Sequence, residues 1–293
     1  MKTKRSTVMA KQPRSLTGKV VVVTGGAQGI GAATAAAAAR LGAHVVIGDL
    51  DEVRAEKTAA ELGGDVVALR LDVTDTAGFT AFLDEVEQRV GPIDVLINNA
   101  GIMPLSELAD EDDASTRRQL EINLHAVVHG TREAIRRMRP RATGHIVNVA
   151  SMAGKAGFPG AATYCATKHA VVGLSEAVHL ELHGSGVLVS CVMPGIVRTE
   201  LASGLGEAKF FKSVRPEDVA HAIVDALRFP RFDVFVPRSL GTMGRITRLL
   251  PRRWGESIAR ALGADRVLAS AAHSAARADY ERRAAGSAPG ADS

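Results

Sequence analysis

The feature that most constrains this chain is a junction near its start. Lys19 to Val23 is a short β-branched run that passes directly into TGGAQGIG, Thr24 to Gly31, and then into an alanine-rich stretch from Ala32 to Leu41. A strand that turns into a helix through glycines can bring bare backbone close to a ligand. Glycine has no Cβ and tolerates unusual φ/ψ, so the N–H groups at the helix start stay open to a pyrophosphate. Gly25, Gly29 and Gly31 have the spacing GxxxGxG. Alone such a turn is weak evidence, and its bland reading is a purely structural bend. Here it follows a strand and opens a helix, which is the context that gives it meaning. Small side chains from Ala32 to Ala38 let that helix lie close to a sheet.

The alternation continues along the chain. His44–Ile47, Val66–Leu69, Asp94–Ile97, His145–Val149, Val187–Val192 and Asp233–Val236 read as strands. Val53–Leu62, Phe79–Val90, Ser115–Met138, Tyr164–Leu182 and Pro216–Leu227 read as helices. Continuous apolar strands between helices predict an α/β fold, a doubly wound parallel sheet covered on both faces. Ligands of such sheets bind at the carboxyl ends of the strands. Only 4% of residues are aromatic, so Ala, Val, Leu and Ile must fill the core. The expected organisation is a basic flexible tail (1–16), one catalytic domain (17–237), a helical extension (238–285) and a disordered end (286–293).

The formal charge of +4 is unevenly spread. Residues 1–18 carry five basic side chains and no acid, and residues 238–260 carry six Arg and one Glu. Such clusters can meet nucleic acid or an anionic membrane, but a solvated surface is the plainer reading, and no nucleic-acid partner is expected. Two cysteines, Cys165 and Cys191, are too few for a disulfide framework and read as inert core thiols in a reducing cytosol. No stretch reaches the roughly 18–20 apolar residues of a spanning helix. The basic start lacks the apolar core of a secretory signal. A cytoplasmic protein is expected.

Asp49 ends the second strand, 18 residues after Gly31. A carboxylate there can accept from the adenosine ribose hydroxyls and would repel a 2′-phosphate, which favours NAD over NADP. Leu50 borders the same position. Asp72, in LDVTD, can accept from the adenine amino group with Val73 against the ring; its bland reading is a cap for the next helix.

With these motifs in view, the chain resembles the short-chain dehydrogenase/reductase family in its ordinary single-domain form. The resemblance covers Thr17 to Pro237 and implies a Rossmann fold. Thr24–Gly31 matches the family's cofactor turn, which brings in Gln28 and Ile30. NNAG, Asn98 to Gly101, matches its fourth-strand motif, with Asn99, Ala100 and Gly101 bordering the cofactor. Pro194, Gly195, Val197 and Thr199 match its nicotinamide-side loop. Asn123, Ser151, Tyr164 and Lys168 match its catalytic set.

YCATK puts Tyr164 and Lys168 on one helix face. A free tyrosine titrates near 10, so a nearby ammonium and a positive nicotinamide are expected to favour the phenolate. Lys168 would also grip the nicotinamide ribose. Ser151 would hydrogen-bond the substrate oxygen. Asn123 would hold a water linked to Lys168. Tyr164 would then accept the alcohol proton as hydride passes to the nicotinamide, or donate it in reduction. An NADP-linked carbonyl reductase is the alternative that Asp49 opposes. A non-catalytic NAD-binding sensor or scaffold is the alternative that the intact Ser151, Tyr164 and Lys168 oppose.

Met103, Pro104, Met152, Ala153, Phe158, Val197, Leu201, Leu205, Phe210 and Phe211 are expected around the substrate, under a lid between Arg198 and Lys212. Most are apolar, which implies a small hydrophobic alcohol or ketone such as a steroid, retinoid or long-chain alcohol. His179 and His183, in HLELH, lack the zinc-protease order, and no metal is expected. In the extension, Ile246, Leu249, Leu250, Trp254, Ile258 and Leu262 can form an apolar face ringed by Arg. That suits peripheral membrane contact, packing on the enzyme itself, or another subunit. The family resemblance implies a homodimer or homotetramer.

Overall fold

The computed structural model describes residues 12–205, 213–242, 253 and 277–286. Seven parallel strands form one sheet: β1 (Val20–Thr24), β2 (His44–Asp49), β3 (Val66–Arg70), β4 (Ile93–Asn98), β5 (Gly144–Val149), β6 (Val187–Pro194) and β7 (Asp233–Val236). Their order is β3-β2-β1-β4-β5-β6-β7. Succession reverses between β1 and β4, and a crevice opens there at the strands' carboxyl ends. The doubly wound parallel sheet read from the sequence is therefore the observed fold.

Helices α1 (Gly29–Ala39), α2 (Glu52–Leu62) and α7 (Pro216–Arg228) cover one face. Their alanines and valines share a core with Val21, Val23, Val45, Ile47, Val95 and Ile97. Helices α3 (Thr76–Arg89), α5 (Ala126–Met138) and α6 (Ala162–Glu181) take part in the core of the other face, where Phe79, Phe82, Leu83, Met138 and Val178 meet Val22, Leu96 and Ile146. Strands buried on both faces need apolar residues at every position, which is why their sequences do not alternate.

Two local features depart from a plain reading of the pattern. The long helix expected over Ser115–Met138 is instead α4 (Asp113–Leu120), a π turn (Glu121–His125) and α5. Apolar periodicity cannot reveal one extra residue in a turn. The wide turn carries Asn123, whose side chain is bonded outside the helix, and such turns tend to occur at functional sites. The helix starts also differ. Asp51, Asp75 and Asp112 cap α2, α3 and α4 by accepting backbone N–H groups. The start of α1 at Gln28 has no side-chain cap and no acid in its first turn.

Beyond β7, a final helix α8 (Ala278–Gly286) falls within the helical extension expected over 238–285 and runs one residue past it. Ile246, Leu249, Leu250, Trp254, Ile258 and Leu262 lie outside the described residues, as do Phe210 and Phe211. Among the described residues, no helix is long and apolar enough to cross a membrane.

Candidate active site

The glycine turn sits at the crevice between β1 and β4. Gly25 and Gly29 have φ of 64° and 56°, conformations that an L side chain resists. A Cβ at Gly31 would stand 2.0 Å from the Gly25 carbonyl oxygen, so only glycine fits. A Cβ at Gly29 would lie 3.2 Å from Thr199 Cγ2, which places the loop after β6 across from the turn. The uncapped N–H groups around Ile30 and Gly31 therefore face a bare cradle with Thr199 on its far side. That arrangement fits a pyrophosphate: open donors, positive helix end, no Cβ in the way. Pro194 ends β6, and Gly195 donates to the Val236 carbonyl at 2.9 Å. Val197 is placed in the first core cluster, paired with Val214.

At the end of β2, Asp49 accepts from the N–H groups of Ala27 (2.9 Å) and Asp51 (3.2 Å). Burial raises its pKa, and these backbone bonds oppose the rise. Arg54 also acts on Asp49 electrostatically, but its guanidinium pairs with Glu200 at 3.5 Å. Leu50 is exposed beside Asp49. Asp72 bonds both the N–H and the hydroxyl of Thr74; the cap of the next helix is Asp75, not Asp72. Val73 is partly buried against the second core.

The Asn-Asn pair divides its labour. Asn99 donates to the carbonyls of Thr24 (2.9 Å) and Gly25 (3.0 Å), and Thr24 Oγ1 accepts from the N–H groups of Asn99 and Ala100. This stitches β4 to the glycine turn. Asn98 points into the sheet, where it donates to Asn148 and Thr131, and Asn148 in turn donates to Ser175. All four are buried polar side chains bonded to one another. The sequence reading missed Thr24, Thr131, Asn148 and Ser175, because polar residues inside a helix or strand look solvent-facing until their partners are known.

Ser151 follows β5, and its Oγ accepts from the Ala153 N–H at 3.1 Å. Tyr164 lies in the first turns of α6, 7% exposed, and Lys168 one turn later, 4% exposed. The Lys168 ammonium is 5.7 Å from the Tyr164 ring centre and donates to the Val149 carbonyl at 3.0 Å. Gly101 borders the same spot: a Cβ there would be 3.1 Å from Asn123 Oδ1 and 3.6 Å from Lys168 Nζ. Tyr164, Lys168, Ser151 and Asn123 are thus gathered at the ends of β4 and β5.

Burial pushes Tyr164 up to about 12, opposed by the Ser151 hydroxyl. Burial likewise lowers Lys168 to about 8. Removing water penalises both charged forms. The Asn123 side chain is engaged with the loop after β4: its Oδ1 accepts from Ile102 N–H and its Nδ2 donates to Ile102 C=O, both at 2.8 Å. It clamps the loop after β4.

An apolar cluster surrounds Tyr164. Met103, Leu105, Ala153, Ala161 and Cys165 cluster with it, and Phe158, Leu201 and Leu205 pack against them. Met152 instead packs with Val127, Val172 and Met193 in a neighbouring cluster. Cys165 and Cys191 are buried free thiols, both with raised pKa values. His179 stacks on Phe232 at 4.8 Å between ring centres. Helix α8 also reaches this cluster, where Tyr280 Oη accepts from Met103 N–H at 2.7 Å. Sequence reasoning missed this contact, although Tyr280 is one of two tyrosines in the chain and Tyr164 is the other.

A glycine cradle at the switch point, with a buried Tyr-Lys-Ser group beside it, has the form of a dinucleotide-dependent oxidoreductase. The comparisons with known proteins bear this out. The family model for short chain dehydrogenases matches residues 19–209. A 3-alpha-(or 20-beta)-hydroxysteroid dehydrogenase of Mycobacterium tuberculosis is 36% identical over 213 residues, 71% of this chain and 82% of that protein. The glycine betaine reductase ATRR of Emericella nidulans is also 36% identical, over 228 residues, but the match spans 73% of this chain and only 18% of that longer protein. A crystal structure of a short chain dehydrogenase/reductase from Burkholderia phymatum in complex with NAD superposes with a TM-score of 0.74 at 28% identity, covering 80% of this chain and 94% of the other. This chain belongs to the short-chain dehydrogenase family and is an oxidoreductase of that family.

Proposed function

We propose that the protein transfers hydride between a hydrophobic alcohol or ketone and NAD, with Tyr164 as the acid/base. The observation that carries this reading is the apolar wall of Met103, Leu105, Ala153 and Phe158 packed around a buried phenol whose neighbours are Ser151 and Lys168. Bound at the cradle, the oxidised nicotinamide would supply the hydride acceptor and a positive charge near the phenol. Gly25, Gln28, Gly29, Ile30 and Gly31 would hold its pyrophosphate, Asp49 and Leu50 its ribose, and Asp72 and Val73 its adenine. Asn99, Ala100, Gly101, Pro194, Gly195, Val197 and Thr199 would line the rest.

The chain's own groups would then act as follows. Ser151 orients the substrate oxygen toward Tyr164. Tyr164 Oη, protonated up to about pH 12 by its burial, is ready to donate in reduction. In oxidation it accepts the alcohol proton once positive charge nearby lowers it. Lys168 steers the ribose, and Asn123 fixes the loop that ends at Ile102. Two matters support NAD over NADP: Asp49 keeps its carboxylate at the ribose position, and Glu200 engages the nearby Arg54. The name of the mycobacterial relative supports a steroid-like substrate.

The test is a panel of hydrophobic secondary and primary alcohols with NAD or NADP, following reduced nicotinamide absorbance. Oxidation of bulky alcohols with NAD is expected. Tighter binding of NADP than NAD defeats the ribose argument. A homodimer or homotetramer belongs to the same proposal, and sedimentation at micromolar concentration checks it.

A further inference from the structure

The two loops that wall the site come from different strands. One follows β4 and carries Met103 and Leu105; the other follows β6 and carries Glu200 to Leu205. Helix α8 bonds to both. Arg277, 1% exposed, sits just before it. Its Nε pairs with Glu281 at 2.7 Å, and one terminal nitrogen donates to the carbonyls of Leu201 and Ser203, both at 3.0 Å. Its other terminal nitrogen donates to the carbonyl of Met103. The same residue's N–H goes to Tyr280 Oη, so both backbone groups of Met103 are held by the C-terminal segment. Glu281 accepts from Leu105 N–H at 3.4 Å, and Arg283 pairs with Glu200 at 3.3 Å. The guanidinium lies 4.7 Å from the Tyr280 ring centre.

A buried guanidinium is costly unless its donors are used. Here the three carbonyls it meets all belong to loops that wall the pocket. The helix is therefore stable in place only while both loops are gathered around it, and the loops are held together through it. Met103 packs on Tyr164 in the same cluster, and Leu201 against it.

We propose that the C-terminal segment is a strap over the substrate pocket and that Arg277 is a positioning residue. It holds Met103 and Leu201 at the distance that decides which alcohols reach Tyr164. This rests on the proposed alcohol chemistry for its substrate, but not for its geometry. A bulky substrate leans on the wall so held and a small one does not, so Arg277 governs KM and selectivity for large alcohols more than it governs turnover.

The experiment uses the full chain in four forms: wild type, Arg277→Ala, Arg277→Lys and Tyr280→Phe. Amide hydrogen exchange is followed at residues 101–105 and 199–205. In Arg277→Ala it is expected to quicken about tenfold in both loops at once, with β1 and α1 unchanged and Arg277→Lys in between. In turnover with NAD, KM for a polycyclic secondary alcohol should rise about tenfold in Arg277→Ala while kcat moves far less, and KM for 2-butanol should barely change. Exchange unchanged in both loops of a folded Arg277→Ala overturns the strap. So does an unaltered KM ratio between the two alcohols. If Arg277→Ala does not fold, Tyr280→Phe decides: faster exchange at residues 101–105 supports the strap, and wild-type exchange there refutes it. A wild type that oxidises no alcohol defeats the proposed function, and the exchange measurement then decides the strap alone.

Discussion

The two ends of the crevice are built by different means. At the proposed cofactor end, main chain does most of the work: Gly31 against Gly25 and the open start of α1, with the Thr24 hydroxyl tying in Asn99 and Ala100. Parallel pairing of β1 with β2 and β4 brings these pieces together. At the substrate end, side chains do the work, and they arrive from far along the chain. Met103 is bonded to residues 177 and 174 positions later. A cradle of main chain tolerates little change, because its atoms cannot be swapped. A wall of side chains held by a tail can be rebuilt without touching the cradle. The difference teaches how one sheet can keep a fixed main-chain turn beside an adaptable apolar wall.

The largest expected effect separates chemistry from binding at that boundary. Tyr164→Phe should lower kcat by about 10³-fold, within the range of a lost acid/base, with NAD affinity by titration calorimetry unchanged. Turnover near the wild-type rate removes Tyr164 from its role. Next, Gly31→Ala should weaken NAD binding by about 100-fold, since its Cβ meets the Gly25 carbonyl and overpacking costs roughly 1–3 kcal/mol. Calorimetric binding at wild-type strength would show that the cradle can yield.

Asp49→Ala should bring the ratio of NAD to NADP affinities down by about tenfold, the scale of a charge-assisted hydrogen bond. An unchanged ratio assigns the selectivity elsewhere.

The smallest effect probes the sheet beneath both ends. His145 on β5 bonds Ser190 through Nε2 at 2.9 Å, while its buried Nδ1 has no partner among the described residues. Burial and then Arg14 lower its pKa from 6.5 to about 3. Below pH 6.5 the unfolded chain binds a proton that the folded one refuses, so stability falls as pH drops from 6.5 toward 3 and is fully present above that window. Between about pH 7.5 and 5.5 the loss should be about 1 kcal/mol, read as a lower Tm that His145→Gln flattens. An equal slope in the variant places the acid sensitivity in another group.

The alternation of strands and helices and the glycine turn were legible because each rests on local pattern: valine runs, glycines between strand and helix, aspartates at strand ends. The candidate catalytic side chains were named through family resemblance, since Tyr164 and Lys168 alone are an unremarkable helical pair. What the pattern could not carry were energies and distant partners. The expected phenolate rests on an ammonium and a bound nicotinamide, while the burial that raises Tyr164 cannot be read from the pattern. Arg277 lay in the helical extension beyond the basic run 238–260, and nothing in the pattern singled it out. A buried Arg runs against the usual exposure of that residue type, and only its carbonyl partners 74 to 174 residues away explain it. Asn98 and Asn148 looked like turn and strand polars until their shared network with Thr131 and Ser175 was in view.

The π turn between α4 and α5 has an evolutionary consequence. One surplus residue between Glu121 and His125 sets the rotational phase of everything upstream on that rod. An α-helix advances about 100° per residue, so deleting any one of the five would swing α4 by that angle around its axis. Asp112 and the rest of α4 would no longer face the elements they now meet. Chain-length variation among descendants of this sequence should therefore collect in the exposed stretch from Glu107 to Asp110 and stay out of Glu121–His125.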